Sequence, residues 1–253
     1  SWGGPVADDQ DTGQMLVGEY DRVIKGKVIY SQIRMVGDKV EDNLHIWKGY
    51  RKETHLDIIN DLSQGEEEML NNVHRERRRN LGRAKSKGVT VSLTEEPADI
   101  NEAVVLILNL YRKIGLPAPP AELLLNGRQI LGDKLRVFIA RVEGRIAGAR
   151  FVLCYRDMVY DWYAGSDPDY QNRYINDIMP WEVMLWASRN NFRIFDFGGA
   201  GRPDEKYGVR DFKLRYGGNL IESPRLLKIH RPLLMFAGEK GITFYKRLKR
   251  ALR

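Results

Sequence analysis

The chain is predicted to be an α/β protein in which a mixed sheet is flanked by helices, and three observations lead there. From residue 89 onward the hydrophobic periodicity switches between the two-residue repeat of strands and the 3.6-residue repeat of helices, in the order strand, two helices, three strands, helix, strand, helix, strand. Within that order, residues 194–218 join a short apolar strand to a lysine-bearing helix through a turn rich in glycine, Gly198, Gly199 and Gly201. The opening of the chain roughly repeats the second half of the same order, which predicts tandem domains with the first incomplete.

Each element has a local reason. Residues 89–93 read as a strand. Ala103, Ile107 and Leu110 recur on one face of a helix over 99–114, and a second helix follows over 121–131. Strands over 135–142, 146–154 and 158–164 are separated by the tight turns Glu143-Gly144 and Arg156-Asp157. Met179, Val183 and Trp186 mark a helix over 175–189, and Ile194, Phe195 and Phe197 mark the next strand. A short helix over 207–216 is stopped by Gly217 and Gly218, and a strand over 219–222 closes the unit. In this helix Phe212 faces the core and Lys213 points elsewhere, either into a site or into solvent.

The repeat aligns Trp2-Gly3-Gly4-Pro5 with Trp162-Tyr163-Ala164-Gly165, and a helix over 15–24 with that at 183–189. A strand over 28–33 aligns with the Phe195 strand, and residues 43–50 with a strand over 55–59 align with the Lys213 helix and the strand after it. On this basis residues 1–61 form the second half of a first domain, 62–88 a charged interdomain helix, 89–224 a complete second domain and 225–253 a basic tail. A missing first half would make the chain a piece of a longer protein, although any alternating α/β chain shows some match of this kind. The 62–88 helix is expected to start at a capping box of Ser63 and Glu66 and to end at Gly88. Met69, Leu70, Val73 and Leu81 supply its apolar stripe. Its distal part carries Arg75, Arg77, Arg78, Arg79, Arg83, Lys85 and Lys87, either a solvated face or an anion-binding one.

Composition narrows the function classes. The 253 residues carry 41 Lys and Arg against 34 Asp and Glu, a net charge of +7, which favours polyanionic partners without choosing among them. No apolar run reaches the roughly 20 residues of a membrane span, and no signal-peptide pattern opens the chain. Cys154 is the single cysteine, set in an apolar run as a core thiol. His45, His55, His74 and His230 are scattered without partner ligands, so no metal is expected, and there is no Walker loop. Leu233, Leu234, Met235 and Phe236, followed by Ile242, Phe244, Tyr245 and Leu248 among lysines and arginines, form a basic amphipathic tail. It either packs on the first domain or lies on an anionic membrane. Tyr160, Trp162, Tyr163, Tyr170 and Tyr174 either line a groove or belong to the core.

The order of elements from residue 89 resembles the GNAT-like acyltransferase fold. Tyr163-Ala164-Gly165-Ser166, Trp181, Phe195-Asp196-Phe197-Gly198-Gly199 and Gly208-Val209 with Phe212-Lys213 before Tyr216-Gly217-Gly218 together resemble the Fem-type nonribosomal peptidyltransferases. Residues 77–84 with Gly88-Val89 resemble the interdomain helix of that family, and Gly3-Gly4-Pro5 its first-domain rim. The resemblance implies an enzyme, in the cytoplasm or at the inner face of the membrane, that moves an amino acid from aminoacyl-tRNA to an amine of a nucleotide- or lipid-linked muropeptide. It needs no cofactor beyond that co-substrate.

Carried over residue by residue, the resemblance assigns catalysis to Lys213 with its neighbour Phe212. Substrate binding falls to Gly3, Gly4, Tyr163, Ser166, Trp181, Asp196, Gly198, Gly199, Arg210 and Arg215, and anion or tRNA binding to Arg77, Arg78, Arg79, Arg83 and Lys85. Attack of an amine on an ester develops negative charge on the carbonyl oxygen, and a fixed cation lowers that barrier. Asp196 either orients the turn, accepts a proton or caps local backbone. Two alternatives remain. One is a coenzyme A-dependent N-acyltransferase on the same fold, disfavoured because residues 166–173 carry one proline, two aspartates and no glycine where a pyrophosphate would sit. The other is a non-catalytic polyanion-binding module.

Overall fold

The computed structural model describes residues 3–5, 7–34, 47–238 and 240–241. In chain order the elements are α1 (Gln10–Ile24), β1 (Tyr30–Arg34), β2 (Arg51–Glu53), β3 (Leu56–Asp61), α2 (Glu66–Asn72), α3 (Arg75–Ser86), β4 (Thr90–Thr94), α4 (Pro97–Ile114), α5 (Ala121–Leu131), β5 (Leu135–Val142), β6 (Arg145–Tyr155), β7 (Met158–Ser166), α6 (Ile175–Arg189), β8 (Ile194–Gly199), α7 (Gly208–Leu214), β9 (Asn219–Glu222) and β10 (Arg225–Ile229). They fall into two units: residues 57–200 with 206–221, and residues 1–56 with 201–205 and 222–253.

The larger unit is built on a seven-stranded sheet in the order β4-β5-β6-β7-β8-β3-β9. β4, β5, β6 and β7 form an antiparallel meander, β8 joins β7 in parallel, and β3 pairs antiparallel with β8. Strand residues alternate between two covering layers. Val137 and Ile139 pack with Ile107 of α4 and Leu124 of α5, whereas Phe138 meets Trp186 of α6 edge-on at 5.2 Å. The mixed sheet between helices is the fold class expected. Gly115, in the left-handed conformation, ends α4, and Pro97 starts it.

Three expectations change in this unit. The single charged helix over 63–88 is two helices, because Val73 is extended and buried, and the His74 ring nitrogen accepts the Glu76 N–H to start α3. The Ser63–Glu66 capping box does not form: the Ser63 N–H and hydroxyl both donate to Asp61 Oδ1, at 2.8 and 2.6 Å, and α2 starts at Gly65. Residues 57–88, divided by the sequence between a first domain and a linker, fold with the larger unit. Strand pairing decides this, since Asp57–Asp61 of β3 hydrogen-bonds along β8.

The smaller unit is a three-stranded antiparallel sheet, β1-β10-β2, with α1. Helix α1 starts five residues before the expected position, because the Asp9 carboxylate accepts the Thr12 N–H and hydroxyl, each at 2.7 Å. Val17, Trp47 and Leu226 form its buried core. Residues 225–229, read as the start of a tail, are the central strand of this sheet. Residues 43–46 and 242–253, to which parts of the repeat and of the amphipathic tail were assigned, lie outside the described residues, as do Trp2 and His45.

Candidate active site

The sheet of the larger unit opens where the parallel pair β7–β8 parts. The β7–β8 register is Met158 with Ile194, Val159 with Phe195 and Tyr160 with Asp196, and there it stops, although β7 runs on to Ser166 and β8 to Gly199. In open mixed sheets a ligand crevice is expected at such a switch point, beyond the carboxyl ends of the parted strands. Lys213 Nζ lies on its β8 side, donating to the carbonyl oxygens of Phe197 at 2.7 Å and Gly199 at 2.8 Å, with that of Gly198 at 3.4 Å. The helix that carries it starts only after the glycine turn, so the Phe212 ring packs against Tyr216 while the lysine turns back to the strand end. Gly198 has φ +66°, and a Cβ there would lie 3.1 Å from the Tyr160 hydroxyl, so both the turn and the aromatic neighbour require glycine.

Charge is concentrated around this lysine. Burial holds the Lys213 amine below the ordinary lysine range, opposed by Asp161, Asp57 and Asp196, while Arg150 works in the same direction as burial. Burial likewise raises the Asp196 carboxyl to about 7, opposed by the Gly198 N–H, which donates to Asp196 Oδ1 at 2.6 Å. Asp57 adds to the rise, Lys213 resists it, and Asp161 adds to it again. Arg150 and Asp161 form a buried ion pair between β6 and β7. The local cap foreseen for Asp196 is therefore made, and the same carboxyl titrates near neutrality.

Below the crevice a second network fixes α7. Arg77 is buried, pairs with Asp177 and stacks over Phe212 at 4.3 Å and Tyr216 at 5.0 Å. The Tyr216 hydroxyl donates to the Asp177 carbonyl at 2.7 Å, and Asn60 Nδ2 donates to the Tyr216 carbonyl at 2.8 Å. These residues hold the lysine helix in register with the strand end.

The assigned residues divide accordingly. Lys213, Phe212, Asp196, Gly198 and Gly199 come together, and Arg210 joins them through its Nε, which donates to the Ala200 carbonyl at 2.7 Å. Arg77 does not belong to an anion-binding face, because the aromatic pair and Asp177 enclose it; Arg78, Arg79, Arg83 and Lys85 are exposed. Lys85 pairs with Glu182 at 3.0 Å, and Arg215 with Glu76 at 2.8 Å. Trp181 is buried in α6, and Tyr163 packs between Trp162 and Tyr111 against the α4 layer. Ser166 lines a separate groove of about 350 Å³ with Glu102, Asn109, Lys113, Asp167 and Asp169. Gly3 and Gly4 border a groove of about 370 Å³ in the smaller unit with Leu16, Tyr20, Arg34 and Trp47. Sequence reasoning missed Asp57, Arg150, Asp161 and Asn60. The signal for two of them was present, since Arg150 and Asp161 interrupt otherwise apolar strand runs.

Family comparison matches residues 69–213, more than half of the chain, to the acetyltransferase (GNAT) domain. The chain belongs to the GNAT acetyltransferase-domain family. Among solved structures, this GNAT protein is similar to FemX, with a TM-score of 0.67 at 15% identity over 90% of this chain and 79% of that one. It is equally similar to the C-terminal domain of a protein from Agrobacterium fabrum designated a lysylphosphatidylglycerol synthetase (TM-score 0.67, 16% identity, 93% and 79% covered). L-PGS from Bacillus licheniformis follows at 0.62, with 16% identity and 89% and 77% covered. Comparison with curated proteins finds no match. These structural likenesses establish the GNAT-like fold, and with the family match they make the protein an acyltransferase.

The turn that would take the pyrophosphate of coenzyme A, the acyl carrier associated with GNAT enzymes, withholds several backbone donors. Between β7 and α6 the chain forms a 3-10 turn over Pro168–Arg173. Pro168 has no N–H, the Asp169 N–H is bonded to the Asp167 carboxylate at 3.0 Å, and the Tyr170 N–H to the Asp167 carbonyl at 3.0 Å. Two of the turn's donors are thereby used internally, and Asp167 and Asp169 add negative charge beside them.

Proposed function

We propose that this GNAT protein is an aminoacyltransferase, taking an aminoacyl group from charged tRNA and placing it on an amine of a cell-envelope acceptor such as a nucleotide- or lipid-linked muropeptide. The observation that carries the proposal is the buried Lys213 ammonium at the parted strand ends, in a fold whose phosphate turn is built against coenzyme A. Its similarity to FemX and to lysylphosphatidylglycerol synthetase domains supports the same class of donor.

The chemistry follows from the geometry. Lys213 has three N–H donors and three carbonyl partners, Phe197 at 2.7 Å, Gly199 at 2.8 Å and Gly198 at 3.4 Å, so the longest bond is the one most readily exchanged for a substrate oxygen. Its proton is available to the ester carbonyl oxygen as it gains charge. The neutral acceptor amine attacks the carbonyl carbon, a C–N bond forms, and the tetrahedral oxyanion is held against the ammonium. Its collapse breaks the ester C–O bond, and the proton that the amine nitrogen loses passes through a base to the departing oxygen, which leaves as the tRNA hydroxyl. Asp196, its carboxyl raised to about 7, is matched to that task. No side-chain nucleophile is required, because the acyl group arrives activated.

The test is a transfer assay with a mixed pool of radiolabelled aminoacyl-tRNA or with labelled acetyl-coenzyme A as donor, and UDP-muramyl pentapeptide as acceptor. Label moving from tRNA supports the proposal and identifies the amino acid. Label moving only from acetyl-coenzyme A overturns it and with it the interpretation of the Pro168–Arg173 turn.

A further inference from the structure

The ionic cluster beside Lys213 has an unsatisfied member. The side chains that act on the lysine are Asp161, Asp57, Asp196 and Arg150, so with Lys213 itself the set holds three carboxyl groups and two basic ones, and the Asp196 carboxyl, raised to about 7, holds its proton below that pH. Asp57, Asp196 and Arg150 are each at least nine-tenths buried. Asp161 gives one oxygen to Arg150, while its Oδ1 is buried with no hydrogen-bond partner. Arg150 Nε, also buried, has none either. A buried carboxylate oxygen without a donor is costly, on the order of 1–3 kcal/mol or more for a charged group, and its persistence calls for an explanation. Asp161 also stands one residue beyond the last β7–β8 pair, Tyr160 with Asp196, at the point where the strands part.

We propose that Asp161 is a specificity-determining residue that receives, on its free Oδ1, the α-ammonium group of the donor aminoacyl ester. The proposal rests on aminoacyl transfer and deepens it. In such an ester the α-nitrogen sits on the carbon next to the carbonyl, so a substrate whose carbonyl oxygen faces Lys213 brings its ammonium into the same carboxylate-rich crevice. The incoming cation supplies the missing donor. An acetyl group has neither, and would leave Asp161 unsatisfied, so the cluster selects against acetyl donors as well as for aminoacyl ones. The acceptor amine cannot fill this role, because it must be neutral to attack.

Calorimetric titration of the full chain with two stable donor analogues tests this: adenosine carrying a 3′-glycylamido group, and its 3′-acetamido twin, identical but for the amino group. The glycyl compound is expected to bind about 10- to 100-fold more tightly, and D161N to bring the two to parity. Equal binding of both compounds by the wild-type chain, or undiminished discrimination in D161N, overturns the role of Asp161 while leaving the tRNA donor intact. Binding of neither compound overturns the tRNA donor and the Asp161 role together. The wild-type comparison decides the matter even where D161N does not fold.

Discussion

The Lys213 ammonium donates to the Phe197 carbonyl oxygen at 2.7 Å, joining α7 to the free end of β8 where that strand has left β7. The bond does two things at once. It satisfies a strand-end carbonyl that the ladder no longer serves, and it fixes a cation at the mouth of the crevice. Because Phe197 is in turn packed against Phe195 and Tyr216, at 4.8 and 5.2 Å, the ammonium is positioned from the core outward.

Lys213→Ala is expected to lower kcat for acyl transfer by about a hundredfold or more, the usual loss on removing a preorganised donor to a developing oxyanion. It also strands the Phe197 and Gly199 carbonyls, at a cost of about 1–3 kcal/mol. Steady-state kinetics with a urea unfolding curve separates the effects: unchanged kcat in the folded variant would exclude Lys213 from the mechanism.

Asp196 makes a pH prediction with a definite sign. Its carboxyl is raised by burial to about 7, above the ordinary 3.8, so between those values the folded state holds a proton the unfolded state has lost. Stability from this group is present below about pH 4 and is lost as pH rises through about 7. Asp196→Asn keeps an acceptor for the Gly198 N–H and removes the titration. The fall in unfolding free energy from acid to mildly alkaline pH should therefore shrink by a few kcal/mol, at order of magnitude. An unaltered pH profile in the variant would contradict this.

Arginines of α3 should separate by burial. Arg77→Ala takes the ion-pair partner from half-buried Asp177, leaving it the Asn80 amide, and is expected to cost about 3 kcal/mol, whereas Arg78→Ala and Arg79→Ala, at exposed positions, should stay within about 0.5 kcal/mol. Chemical denaturation of the three variants measures the contrast. Comparable losses in all three would refute the division of this basic run into a core arginine and a solvated face.

Gly218 and Gly82 give a paired test of packing. A Cβ at Gly218 would lie 2.5 Å from Asn60 Oδ1 and 2.7 Å from Ile58 Cγ2, so Gly218→Ala should displace the Asn60 side chain that holds the Tyr216 carbonyl. A melting temperature several degrees lower is expected, from about 1–3 kcal/mol of overpacking. Gly82 lies inside α3 with nothing within 4 Å of its Cβ position, and Gly82→Ala should stabilise by about 0.5–1 kcal/mol. A stable Gly218→Ala variant would show that Asn60 does not pin the lysine helix.

What the sequence determined by itself was local and periodic. Alternation over 135–166 specified the meander of β5, β6 and β7, the i, i+4 spacing of Met179 and Val183 specified α6, and Gly198 to Gly201 before Phe212-Lys213 marked the strand-to-helix turn of the site. These signals survive because hydrophobic period and backbone freedom are properties of neighbouring residues. Only the tertiary structure decided the rest. The paired contacts of Arg77 with Asp177, and of Arg150 with Asp161, turned arginines that composition could not tell apart into buried structural ions. The placement of Asp57 and Asp161 beside Lys213 depends on β3 and β7 lying on either side of β8. Strand order and the point where a ladder parts arise from long-range pairing, which no local pattern encodes, and the electrostatics of the crevice exist only once that pairing has formed.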